Sequence, residues 1–330
     1  MIRPVPMVEI LRGSFVESRH EGHAAITSAD GEIVEAWGDP GLVILPRSSA
    51  KMLQALPLLE SGAGACLSTE QLALACASHS GERHHVSLVG QWLTDLGLDD
   101  SALLCGPQPS RDREHCLWMD RVGKEVTRAY NNCSGKHAGF LTLAKHLEAG
   151  PDYVDPDHPV QRAVRQAIEE TCDEASPGFG IDGCSAPNFA VSLAGLARAL
   201  ARFASAGGSG GLRDVAMSKL VSAMIAHPDL VSGRGRACAA LMDSANEPLA
   251  VKTGAEGVYV AILPERKLGI ALKIADGATR ASEVAMAALL ARLGAISENH
   301  PLLSRGIRNW DGLATGVERP VAGFATAPRG

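Results

Sequence analysis

Ser48 and Lys51 are the first residues whose types and spacing suggest chemistry. They stand in Pro46-Arg47-Ser48-Ser49-Ala50-Lys51, after the apolar run Leu42 to Leu45. Met52, Leu53, Leu56, Leu58 and Leu59 follow at helical spacing. A helix starting here puts Ser48 at or just before its first residue, with Lys51 one turn on and facing the same way. Free N–H groups and the helix dipole at such a start stabilise developing negative charge. A neutral lysine beside the hydroxyl can take its proton, so the two read as nucleophile and base. Serine is also a common helix cap, and a cap followed by a surface lysine would leave the same pattern.

Lys252-Thr253-Gly254, far downstream on an expected strand, changes the weight of that pair. Ser-x-x-Lys followed by a later Lys-Thr-Gly marks the serine β-lactamases and penicillin-binding proteins. Such a site acts by acyl transfer. Ser48 attacks a carbonyl with Lys51 as base, and the N–H groups of Ser48 and Ala255 hold the oxyanion before the acyl-enzyme is hydrolysed. Ser80, after a helix end, would be a second hydroxyl near Lys252, relaying a proton to the leaving group. As an ordinary loop serine it would make only local hydrogen bonds.

Two compact polar loops follow the same logic, Asn131-Asn132-Cys133-Ser134-Gly135-Lys136-His137 and Asp182-Gly183-Cys184-Ser185-Ala186-Pro187, each before an expected helix. Thiolates of Cys133 and Cys184 could share a Zn²⁺. Both could equally be small buried hydrophobes. His79, His84, His85 and His137 are further candidate ligands. Adjacent residues on a helix point different ways, so His84 and His85 are not expected to face one ion.

The elements that must position these groups follow from periodicity. Residues 7 to 45 read as β structure, with a hairpin turn at Ser28-Ala29-Asp30-Gly31. Residues 69 to about 245 read as mostly helical, with helices from Thr69 to Ala77, Glu82 to Leu96, Ala138 to Leu147 and Pro156 to Cys172. A further helix over 188–205 and two more before Ala245 are expected. Cys105 to Gly123 reads as irregular. Gly178 to Pro187 reads as a glycine-rich loop, and Ala206 to Gly211 as a flexible connector. Strands return at Leu249 to Lys252, Gly257 to Leu263 and Leu268 to Ile274, before a last helix from Thr279 to Leu293. The expected fold is α+β, an antiparallel sheet formed by both chain ends with a largely helical insertion. One domain is expected, with an α/β lobe from 1–65 and 246–330 and a helical lobe over 66–245.

The 330 residues are enough for a sizeable core, and 46% hydrophobic with 21% charged residues is ordinary for a soluble protein. A net charge of −6 without a basic block argues against nucleic acid or an anionic membrane as partner. No signal peptide and no membrane span are expected. Eight cysteines without dense spacing suit a reducing compartment, so the expected location is the cytoplasm.

Five strings taken together closely resemble the rhizobial-type (class 3) L-asparaginases, the asparaginase II family. They are Pro46 to Ala55, Ala77 to Glu82, Asn131 to His137, Gly180 to Pro187 and Lys252-Thr253-Gly254-Ala255-Glu256-Gly257. The resemblance spans essentially the whole chain. It implies a fold like that of serine β-lactamases and glutaminases, and hydrolysis of L-asparagine to L-aspartate and ammonia. It implies two Ser-Lys tandems, Ser48 with Lys51 and Ser80 with Lys252. It also implies a Zn²⁺ on Cys133, Lys136 and Cys184, substrate contacts from Arg47, His137 and Asp182, and a homodimer. Lysine must lose its proton to bind a metal, so such a site would weaken as pH falls. Three other readings remain: a β-lactamase or peptidase, a zinc-binding or sensing protein without turnover, and a hydrolase in which zinc activates water.

Overall fold

In the computed structural model, which describes residues 2–325, the N-terminal alternation becomes strands β1 (Val5–Arg12), β2 (Phe15–Ser28) and β3 (Ile33–Trp37). The returning strands are β4 (Ala250–Thr253), β5 (Val258–Leu263) and β6 (Leu268–Ile274). Two more, β7 (Arg305–Arg308) and β8 (Ala314–Pro320), follow the last long helix. All eight form one sheet in the order β7-β8-β1-β2-β6-β5-β4, with β3 on the other part of β2's edge, and every pairing is antiparallel. The chain ends meet within it: Val8 pairs with Pro320, and Ser28 with Leu268.

β5 is buried at every residue, which a sheet achieves only when both faces are covered. The covers are the helices Leu193–Ser205 and Thr279–Arg292, both packed on the sheet. Gly269 on β6 permits the first contact, because a Cβ there would lie 2.2 Å from the Ala197 carbonyl oxygen.

The chain forms two compact units, residues 1–44, 192–205 and 240–330, and residues 45–191 and 206–239. The boundaries differ from the expected ones. Residues 45–65 belong with the helices, and 192–205, expected in the helical lobe, pack on the sheet. An amphipathic pattern marks a buried face without saying which partner buries it.

The second unit is helical apart from one hairpin. Thr69–Ala75 starts at a capping box, where Ser68 Oγ accepts from Gln71 N–H and Gln71 Oε1 accepts from Ser68 N–H. It packs against Ser134–His146 and Leu212–Ala226. Gly135 permits the first approach: a Cβ there would sit 2.4 Å from the Leu74 carbonyl oxygen. Two expectations fail in this unit. The irregular stretch contains a helix, Arg113–Val122, capped by Asp112 and closed by left-handed Gly123. The glycine-rich loop is a hairpin, Phe179–Ile181 against Pro187–Phe189, and the next helix begins only at Leu193. Among the described residues no helix is long and apolar enough to cross a membrane.

Candidate active site

Ser48 lies in a short 3-10 turn, Arg47–Ala50, leading into the helical turn Lys51–Gln54. Two hydrogen bonds fix the turn. Arg47 N–H donates to Asn188 Oδ1 at 3.1 Å, and Ser49 Oγ donates to the Pro46 carbonyl at 2.7 Å. Arg47 itself has φ 56°, a left-handed conformation costly for a side-chain-bearing residue. It aims the guanidinium at the hairpin, where Nε and Nη2 reach Asp182 Oδ1 at 3.0 and 2.7 Å.

Asp182 sits at the hairpin turn, which closes through Asp182 N–H to the Ala186 carbonyl and holds Ser185 at φ 70°. Its Oδ1 also accepts Gly183 N–H at 2.7 Å. Burial works to raise the Asp182 pKa, but the Arg47 hydrogen bonds and the nearby Lys136 charge outweigh it, so the carboxylate stays ionised. Three donors crowd one oxygen, and Oδ2 has no hydrogen-bond partner among the described residues.

Lys51 is buried, with 1% of its surface exposed. Its Nζ donates to the Ala77 carbonyl, lies 3.1 Å from Ser78 Oγ and 3.5 Å from the Asn132 carbonyl. The hydroxyl beside it is therefore that of Ser78, while the Ser48 side chain is half-buried and makes no hydrogen bond among the described residues. Contacts of this kind commonly tighten only with substrate bound. Ser80, also buried, donates to the Ser232 carbonyl at 2.9 Å. Gly233 presses on it so closely that a Cβ would fall 2.0 Å from Ser80 Oγ. Lys252 belongs to the sheet unit, fully buried on β4, with Nζ donating to the Thr253 carbonyl at 2.6 Å.

Cys133, Lys136 and Cys184 do come together. Lys136 Nζ donates to Cys184 Sγ at 3.1 Å, and all three residues are buried. The Cys133 S–H has two acceptors, Cys184 Sγ and Asn132 Oδ1 at 3.0 Å. The proton on Cys133 and the Lys136 ammonium, against the cost of burial, draw the Cys184 pKa down to about 4. The same hydrogen bond, with burial, pushes Cys133 up to about 12. Burial opposes the Lys136 charge, but the two sulfurs outweigh it and its pKa stands above the ordinary value. Two sulfurs and an amine within hydrogen-bond reach in a dry pocket are a donor set that Zn²⁺ fits once the protons leave.

His137 is fully buried. The Tyr153 hydroxyl accepts Leu104 N–H at 2.7 Å and shares a hydrogen bond with His137 Nδ1 at 2.9 Å. The other ring nitrogen of His137, Nε2, is buried without a partner among the described residues. Burial and the Lys136 charge hold the ring's pKa well below its usual value, so it is neutral. A ring nitrogen kept dry and unpaired is ready for a polar partner on a bound molecule.

Sequence reasoning passed over Ser78, Asn188, Ser232 and Tyr153. Ser78 lay in the recognisable Ala77 to Glu82 string, so a signal existed; the other three act through long-range contacts with no local signature.

The model of the L-asparaginase II family matches residues 8–320. No curated protein matches the chain. Among solved structures it is similar to Mglu in its glutamate form, at 14% identity and a TM-score of 0.46, covering 84% of this chain and 62% of that one. It is also similar to a β-lactamase/D-alanine carboxypeptidase from Pseudomonas syringae (14% identity, TM-score 0.43, 81% and 92% covered). A β-lactamase from Sulfitobacter gives 17% identity and a TM-score of 0.41, with 82% and 92% covered. The matched span takes in nearly every strand and helix described above, and the match is to a family of amide hydrolases. The chain belongs to the L-asparaginase II family.

Proposed function

We propose that the protein hydrolyses L-asparagine to L-aspartate and ammonia through an acyl-enzyme on Ser48. The observation that carries the reading is the family match over residues 8–320. In the proposed course the Ser48 hydroxyl gives its proton to Lys51, acting as base, while Oγ bonds the side-chain amide carbon. Lys51 returns the proton to the amide nitrogen, the C–N bond breaks and ammonia leaves. Water then attacks the ester carbon, giving a proton to Lys51, which passes it to Ser48 Oγ as the acyl C–O bond breaks and aspartate is released. Ser80 with Lys252 is proposed as the second tandem.

Asp182 Oδ2, which takes no donor from the described residues, suits the substrate α-ammonium, and the Arg47 guanidinium suits a carboxylate. The His137 Nε2 atom, buried with no partner among the described residues, suits a polar atom of the substrate. Cys133, Lys136 and Cys184 are proposed to hold Zn²⁺, whose charge, when bound, would keep both sulfurs as thiolates and Lys136 as a neutral amine. The two loops carrying His137 and Asp182 would then be fixed relative to each other within the helical unit. A cytoplasmic homodimer is the accompanying reading, supported by the resemblance and by eight free cysteines; sedimentation measures the assembly.

Ammonia release from L-asparagine, measured for the wild type, Ser48→Ala, Lys51→Ala and Cys133→Ala, tests the proposal. Turnover is expected to disappear in the first two and substrate binding to weaken in the third. A mass increment on Ser48 should be trapped in the wild type. Full activity in Ser48→Ala would sink the mechanism.

A further inference from the structure

A second set of metal-binding groups stands at the start of the helix Arg83–Asp95. Glu82, His84 and His85 each offer a ligand atom, and these atoms all lie within 4.8 Å of one another. Neighbouring histidines on a regular helix diverge, but in this first turn the two rings tilt together, with centroids 3.9 Å apart.

His85 carries the argument. It is fully buried, and its Nε2 lies 3.0 Å from the Asp229 carbonyl. A carbonyl only accepts, so Nε2 bears the proton and Nδ1 presents a lone pair. That Nδ1 is buried with no partner among the described residues. A histidine held by a backbone carbonyl at one nitrogen, with the other nitrogen bare, is prepared as a metal ligand. The His84 Nε2 atom is buried and unpartnered too, 3.8 Å from Asp229 Oδ2. Glu82 has one oxygen occupied, since Oε1 accepts Arg234 N–H at 3.2 Å. Its Oε2 is turned to His84, 3.8 Å from Nδ1.

We propose that Glu82, a ring nitrogen of His84 and His85 Nδ1 bind a divalent transition-metal ion, with the Asp229 carboxylate as the available fourth donor. Two imidazoles with carboxylates select zinc-like ions over calcium or magnesium. Ligand bonds of about 2.1 Å require donor separations of roughly 3.4 Å, so the cluster must close by about an ångström. His84, with 30% of its side chain exposed, is the group free to swing in. The site lies two residues from Ser80, and Gly233 touches both: its Cβ would fall 2.0 Å from Ser80 Oγ and 2.9 Å from Glu82 Oε1. An ion here would clasp the segment that carries Ser80 without using any thiol.

Cobalt(II) binding to the chelator-stripped full chain separates this site from one built on cysteines. Thiolate-bound cobalt absorbs strongly in the near ultraviolet; a His/carboxylate site binds cobalt without that band. Titration of a Cys133→Ser/Cys184→Ser variant is expected to retain one equivalent of Co²⁺. Glu82→Gln and His85→Ala on that background should each weaken it at least tenfold. Because His85→Ala removes a buried ring, Glu82→Gln in the otherwise native chain is the second measure: calorimetry should count one fewer equivalent than wild type, with the thiolate band intact. Equal affinity and stoichiometry with and without Glu82, or no cobalt bound by the Cys133→Ser/Cys184→Ser variant while Glu82→Gln leaves the native count unchanged, would overturn the proposal. Neither readout depends on asparagine turnover.

Discussion

One oxygen of Asp182 takes three donors, two from Arg47 and one from Gly183, and the other takes none among the described residues. This asymmetry lets a single carboxylate be both anchored and available. The anchor also accounts for the left-handed Arg47, since the guanidinium reaches Asp182 only from a backbone that the Asn188 hydrogen bond holds. Asp182→Asn keeps the shape and removes the charge. A charge-assisted hydrogen bond contributes about 1.5–3 kcal/mol, so KM for L-asparagine should rise roughly ten- to hundredfold while kcat changes less. An unchanged KM in steady-state assays would remove Asp182 from the substrate site.

At the scale of elements, backbone contact between helices and strands sets the geometry, and glycine makes it possible. Gly269 meets the Leu193–Ser205 helix at its Ala197 carbonyl and Ala201 N, with no flexible side chain to give way. Gly269→Ala should therefore cost about 1–3 kcal/mol or more, read as a lower urea midpoint with an unchanged slope; a neutral result would mean the helix can shift freely. The elements differ in how far local sequence announces them. The β4, β5 and β6 strands and the Thr279–Arg292 helix carry their own periodicity and are found nearly to the residue. The Arg113–Val122 helix was hidden because it buries only His115 and Met119, too little apolar surface for a stripe. Its capping Asp112 and closing Gly123 were legible signals all the same. β7 and β8 contain Arg, Gly, Glu and Pro and exist because β1 offers β8 an edge and β8 offers one to β7; that is information from elsewhere in the chain. The site divides similarly. Each motif residue can be read locally, whereas the Ser78 hydroxyl beside Lys51 and the Tyr153 hydroxyl on His137 are products of the packing.

For the whole molecule, acid is an adversary through histidines held neutral. His23 and His300 lie in the sheet unit, and each Nδ1 accepts a backbone N–H, from Asp39 at 2.8 Å and Leu302 at 3.2 Å. Burial lowers both pKa values from 6.5. The unfolded chain therefore binds protons first as pH falls, and stability should decline from about pH 6.5 downward, rising again as pH is restored. Urea unfolding at pH 7.5 and 5.5 measures the loss, which should be smaller in His23→Asn, whose amide oxygen can accept without titrating. A pH-independent midpoint would contradict this. The pairing of the first strands with the last has a further consequence, in time. Ser28 finds Leu268, and Val8 finds Pro320, only after the chain between them has been made. At roughly 5–20 residues per second, β1 and β2 leave the ribosome on the order of ten to fifty seconds before β6 exists. Throughout that interval Met7, Val8, Ile10 and Ile26, all buried in the finished sheet, lack the later strands and the two helices that complete their cover. The interval in which this chain is most prone to aggregate is therefore set by the length of its own insertion.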